Sequence, residues 1–146
     1  MAVNGGRQRR LPGRLDWPIV GRAALLAIAV TVPVTVVSRI LGGDEANGEG
    51  SSWVVGVVAL FAGFALAGNF ASRRRPDAPL VHAAASAGVA FGLLTAATIV
   101  RRLASGEGIS APLVITLGLL LQITVSLAML GAYLGIRHRA HGRPGP

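Results

Sequence analysis

Four stretches of this chain run for twenty residues or more with hardly a charge, and the charged residues gather in the short segments between them. The apolar runs cover about residues 18–41, 52–72, 79–100 and 111–136. The last three contain no Asp, Glu, Lys or Arg, and the first carries Arg22 and Arg39 near its ends. A helix rising about 1.5 Å per residue crosses a hydrocarbon layer about 30 Å thick in about 20 residues. Alternation at period two is missing, and in lipid only helices or closed barrels satisfy the backbone's polar groups. The pattern predicts an all-α membrane protein with four transmembrane helices. No run carries a polar stripe that water would cover, which sets aside a soluble bundle.

Punctuation agrees with these limits. Pro18, Pro79 and Pro112 stand at or near run starts, where a missing N–H costs nothing. Pro33 lies inside the first run and predicts a kink there. Trp17, Trp53 and Tyr133 fall near run ends, the interfacial positions that amphipathic rings favour. "RQRRLPGRL" before the first run resembles the basic start of a signal peptide. The run is long and lacks a small-x-small cleavage site, so an uncleaved first helix is expected. The predicted organisation is a basic segment over 1–17, a transmembrane domain over 18–136 and a tail over 137–146.

Composition points the same way. Hydrophobic residues make up 52 %, charged residues 14 %, and mean hydropathy is +0.60. A soluble domain has about a quarter of its residues charged. All fourteen basic residues are arginine, which together with abundant Ala, Gly and Val reads as a GC-rich bacterial coding bias. Cysteine is absent, so disulfides, thiol nucleophiles and cysteine-held metals are excluded.

Four spans sort the charges onto two sides. One side holds eleven arginines (five through Arg22, then Arg73, Arg74, Arg75, Arg137, Arg139 and Arg143) against Asp16 and Asp77, a net of +9. The other holds Arg39, Arg101 and Arg102 against Asp44, Glu45, Glu49 and Glu107, a net of −1. Positive charge stays cytoplasmic, so both termini are expected in the cytoplasm of a bacterial inner-membrane protein. The loop "ASRRRPDAPLVH" is then a cytoplasmic turn whose Arg73, Arg74 and Arg75 hold orientation and offer contacts to anionic lipid headgroups. These arginines lack the interleaved aromatics and stable face of a nucleic-acid site, so no nucleic acid is expected as partner.

Small residues recur four apart: Ala59, Gly63, Ala67 and Ala71 in the second span, and Ala84, Gly88, Gly92 and Ala96 in the third. Gly68 lies near the end of the second span, and Gly131 and Gly135 near the end of the fourth. In lipid, helices associate where such residues let backbones approach. These faces predict close helix contact, either within the chain or between copies.

Sliding the chain by 63 residues lays "TVVSRILGGDE" (35–45) on "TIVRRLASGEG" (98–108) and "ALAGNFASRR" (65–74) on "AMLGAYLGIR" (128–137) without a gap. Ala65 pairs with Ala128, Gly68 with Gly131, Phe70 with Tyr133 and Arg74 with Arg137. Two readings stand here: two duplicated helical hairpins related by an axis along the membrane normal, or a likeness inflated by shared composition.

Ionisable residues inside the spans are the default functional candidates of a membrane protein. The candidates here are His82, near the start of the third span, with the amides Asn69 and Gln122. Each reads either as a contact between helices or as part of a polar path. His138 and His141 have helical spacing without carboxylates nearby, which makes a solvated tail the expectation over a metal site. No HExxH, GxxxxGK[ST] or GxSxG motif appears. No cofactor, no metal and no enzymatic activity are expected.

"AGFALAGNFASRRRPDAPLVHAAASAG" (62–88) resembles the central stretch of small, uncharacterised four-span bacterial membrane proteins. The likeness lies in the glycine-rich end of the second span, the short basic loop, and a third span opening with Leu-x-His. A fourth span ending like "LGAYLGIR" adds to it, while Ala83 stands where those proteins carry Gly. The resemblance implies the four-span fold and no activity. The expected function is therefore a non-catalytic membrane protein that packs with itself or with another membrane protein. The rival is a small transporter or channel whose assembled copies line a path with Gln122, Asn69 and threonines.

Overall fold

The computed structural model describes residues 15–42, 52–74 and 76–141. It is all-helical, with α1 (Trp17–Gly42), α2 (Ser52–Arg74), α3 (Pro79–Ala104) and α4 (Ala111–His141). The starts of α2, α3 and α4 fall where the apolar runs begin. α3 and α4 outrun their apolar stretches by several residues, because Arg101, Arg102, Arg137 and His138 continue the helices beyond any hydrocarbon layer. The expected tail at 137 is therefore helical through His141. Arg75, the amino-terminal arginines before residue 15, the acidic segment 43–50 and Arg143 lie outside the described residues.

Local chemistry sets the limits. The Asp16 carbonyl accepts the N–H groups of Ile19 and Val20, both at 3.0 Å, and so opens α1. Pro33 withholds an N–H inside α1, yet the helix continues through it to Gly42. Pro79 opens α3, where a helix leaves its first N–H groups unpaired. α3 closes on Gly106, whose φ of +73° favours a residue without Cβ. Its N–H donates to the Leu103 carbonyl while the Glu107 N–H reaches the Arg102 carbonyl at 2.8 Å, the paired bonds of a Schellman ending. An Arg102–Glu107 ion pair at 3.6 Å spans the same turn.

The helices form a four-membered diamond. α2 and α3 touch each other and both outer helices, whereas α1 and α4 do not meet among the described residues. The core is made of small side chains: Ala23, Ala24, Ala27, Ala67, Ala71, Ala83, Ala87, Ala90, Ala128 and Ala132, with Phe64 the largest fully buried residue. Leu25, Ile40, Val100, Leu119 and many other large apolar side chains point outward. Water would reject that arrangement, because the hydrophobic effect buries the largest apolar groups first. Lipid accepts it, since tails are as apolar as leucine and close backbone packing becomes the cohesive force. The chain is thus a multi-pass membrane protein, each of its four helices being long and apolar enough to cross a bilayer.

The closest approach is between α2 and α4. A Cβ on Gly68 would overlap the Ala128 carbonyl, and one on Gly131 would overlap the Ala65 carbonyl. The two contacts are reciprocal: Ala65 and Ala128, and likewise Gly68 and Gly131, differ by 63 in residue number. Such reciprocity is the mark of a two-fold contact between equivalent parallel elements. The 63-residue shift also relates buried positions of α1 to those of α3: Val20 to Ala83, Ala23 to Ser86, Ala24 to Ala87 and Ala27 to Ala90. The correspondence stops at the hairpin seams. Gly63 of α2 lies under α1, where a Cβ would stand 2.8 Å from Thr31 Oγ1 and 3.1 Å from the Ala27 carbonyl oxygen. Its counterpart on α4, Ser126, is exposed.

Gly63, Gly68, Gly131 and Gly135 stand against close neighbours, whereas the glycines of α3 do not. At Gly88 and Gly92 an added Cβ would have no atom of another helix within 4 Å. The buried face of α3 runs instead through His82, Ala83, Ser86, Ala87 and Ala90. The four-residue spacing marks a smooth face without saying which face turns inward. Two substitutions separate the cases. Gly68→Ala is expected to destabilise the protein by about 1–3 kcal/mol, since a backbone carbonyl has to move. Gly92→Ala meets open space and is expected to be neutral or to stabilise by up to about 1 kcal/mol through helix propensity. Thermal unfolding in detergent or bilayers reads both.

Candidate functional site

The three polar positions singled out inside the spans lie in three different places. His82 is 2 % exposed, in the first turn of α3. Its Nδ1 stands 2.8 Å from the Ala78 carbonyl oxygen, and its Nε2 is 3.1 Å from the backbone nitrogen of Asp16. A peptide N–H only donates, so Nε2 accepts and the ring proton sits on Nδ1, donating to Ala78. Both nitrogens of a neutral imidazole are then used. The Asp16 peptide also opens α1 through its carbonyl, so one side chain fastens the first turn of α3 to that of α1. Ala78 has no side-chain cap to offer α3, and the imidazole serves the carbonyl just before the helix.

Asn69 sits in the α2–α4 seam. Its Nδ2 lies 3.4 Å from the Gly131 carbonyl oxygen, a long hydrogen bond to the backbone of the facing helix. Ser72 Oγ donates to the Asn69 carbonyl at 2.8 Å. Both side chains lie over Gly135, where a Cβ would stand 2.6 Å from Ser72 Oγ and 3.0 Å from Asn69 Nδ2. Gly131 and Gly135 therefore make the room that these two polar groups occupy.

Gln122 is the exception. It is exposed on α4, and no hydrogen bond to its carboxamide exists among the described residues. Eleven residues past the start of α4, it lies about 17 Å along the helix, at mid-bilayer depth. The structure does not bring Gln122 together with Asn69 or His82. Serine and threonine hydroxyls elsewhere bond back to their own helix, as Ser86 does to Ala83 at 2.9 Å and Thr98 to Leu94 at 2.9 Å. Thr31 Oγ1 is buried without a hydrogen-bond partner among the described residues, against the open side of Gly63.

One end of the bundle gathers the described charges of the basic side. The Asp16–His82 and Ser72–Gly135 contacts place the start of α1, the end of α2, the start of α3 and the end of α4 together. Arg73, Arg74 and Arg137 are exposed there, and the Arg74 guanidinium lies 5.4 Å from the Phe70 ring centroid. No group of three His, Asp or Glu side chains fit to hold a metal occurs among the described residues. His138 is exposed, and the side chain of His141 lies outside the described residues.

Sequence reasoning missed the Asp16 peptide, Ser72 and Thr31 as contact-making groups. Ser72 carried a signal, since the 63-residue shift lays it on Gly135, the residue it packs against. Asp16 and Thr31 carried none, because a backbone N–H is common to every residue except proline and threonine is frequent in these spans. The chain matches no known protein family, no curated protein and no solved structure. The geometry defines the class of protein: a multi-pass, all-α membrane protein in which His82 and Asn69 meet the backbone of neighbouring helices. His82→Ala is expected to lower stability by about 1–3 kcal/mol, because the Asp16 N–H loses its imidazole acceptor and α3 its side-chain tie to α1, while the Ala78 carbonyl keeps the backbone N–H of residue 82. His138→Ala, at an exposed site, is expected to stay within about 0.5 kcal/mol of the parent. Unfolding midpoints measured side by side check the contrast.

Proposed function

We propose that this chain is a non-catalytic component of the bacterial inner membrane that acts by helix packing, joining with itself or with another membrane protein. One observation carries the reading. The interior polar residues His82 and Asn69 are engaged with backbone of neighbouring helices, while a broad apolar surface with Gln122 in it faces outward. The lack of lysine and the bias toward Arg, Ala and Gly support a bacterial origin. The family resemblance carried by the 62–88 stretch belongs to the same proposal.

The orientation rests on the charges. The end bearing Arg73, Arg74 and Arg137 faces the cytoplasm in this reading, with both termini on that side. At that end the exposed guanidiniums are suited to phosphate-bearing lipid headgroups, each worth about 1 kcal/mol near an anionic surface. The transporter reading has less support. It asks Asn69 and Gln122 to line a common path, and within one chain they lie on separate surfaces, the first in the α2–α4 seam against Gly135 and the second outward.

Reporters fused after Arg143 and into the Ser105–Ser110 turn test the orientation. The first is expected to read cytoplasmic and the second extracytoplasmic, and the reverse pattern would overturn it. Purification in mild detergent tests the function: an assembly larger than one chain is expected. A monomer with nothing bound at any expression level contradicts it.

A further inference from the structure

The outer face of α4 is where the two halves of the chain cease to correspond. In α2 the stripe Ala59, Gly63 and Ala67 is buried, with Gly63 beneath Thr31 and Ala27 of α1. The 63-residue shift lays that stripe on Gln122, Ser126 and Leu130 of α4, and all three are exposed. Within the span window, 33 % of α2 is buried and only 11 % of α4. The second hairpin thus presents uncovered what the first hairpin covers with its own helix.

Gln122 says what kind of cover this face takes. A carboxamide without a partner at mid-bilayer depth is costly, because lipid tails supply neither donor nor acceptor. The group carries two donors and an acceptor, so its best partner in an apolar layer is a second carboxamide. Two copies inserted in the same membrane share one orientation, which makes their α4 helices parallel and their Gln122 residues equal in depth. Parallel packing with reciprocal contacts is already the way α2 meets α4 within the chain. Gly118, one turn before Gln122, has open space around it. Ser126, one turn after, donates its hydroxyl to the Gln122 backbone carbonyl at 2.8 Å and so brings no unmet donor. Both neighbours allow a second helix to come near.

We infer that α4 is the seat of a symmetric dimer of this chain, in which the Gln122 carboxamides of two copies bond to each other across a two-fold axis along the membrane normal. The inference rests on the helix-packing reading and names its partner: a second copy. The small-residue face of α3 at Gly88 and Gly92 is also uncovered, yet it carries no carboxamide and serves as the comparison surface.

The test uses the full chain, which has no native cysteine. Ser126→Cys and Gly92→Cys, each near-isosteric or placed in open space, are made singly and oxidised in bilayers. Ser126→Cys is expected to give a disulfide-linked dimer, and Gly92→Cys none. Adding Gln122→Leu to Ser126→Cys is expected to weaken dimer formation about threefold to tenfold, with unfolding of the single chain unchanged. Equal crosslinking at both sites, or crosslinking indifferent to Gln122→Leu, overturns the inference. A chain that fails to crosslink yet purifies with a different membrane protein also overturns it, while leaving the helix-packing reading in place. A chain that is monomeric with nothing bound overturns both.

Discussion

The close approach of α2 and α4 backbones is the constraint on which the other contacts depend. Gly68 and Gly131 each face a carbonyl of the opposite helix, so neither tolerates a Cβ. That approach brings Asn69 within reach of the Gly131 carbonyl and lets Ser72 settle over Gly135. In a bilayer no hydrophobic force presses helices together, so cohesion comes from many short van der Waals contacts and a few polar ones. A pair of helices held apart by ordinary side chains would have fewer of both.

The same logic explains where size and polarity lie. Alanines fill the core because they let helices draw near, and the leucines, valines and isoleucines go outward because lipid receives them without cost. The ring and amide groups inside find backbone partners: the imidazole of His82 links α3 to α1, and the amide of Asn69 links α2 to α4. Gln122 breaks that rule within the single chain, at a position whose α2 counterpart is the buried Ala59. The imidazole and the amide inside the bundle thus meet backbone, while the carboxamide of Gln122 lies on the outward face of α4.

Much of the fold was legible in the sequence, for a physical reason. A bilayer imposes length and apolarity so strongly that the starts of α2, α3 and α4 follow from where the apolar runs begin. Pro79 and Gly106 mark their helix ends through chemistry that any chain would obey. Facing was harder to read. Ala and Gly cover both sides of α3, so the stripe through Gly88 and Gly92 looks like a contact surface and the buried stripe through Ala83 and Ala87 looks no different. His82 and Asn69 were legible as polar residues in apolar surroundings, whereas their partners, an N–H of Asp16 and a carbonyl of Gly131, belong to the backbone and leave no trace in residue type. The 63-residue likeness carried more than its identities suggested, since the shift equals the offset at which α2 and α4 pack.

The parallel α2–α4 seam is tested most directly by joining it covalently. A Cβ at Gly135 lies 2.6 Å from Ser72 Oγ, which is within the reach of a disulfide between the two positions. In the cysteine-free chain, the double variant Ser72→Cys, Gly135→Cys oxidised in bilayers is predicted to close an internal disulfide, seen as a faster-migrating single chain on a denaturing gel. Free thiols persisting after oxidation, or linkage only between separate chains, would contradict the close parallel seam on which this account rests.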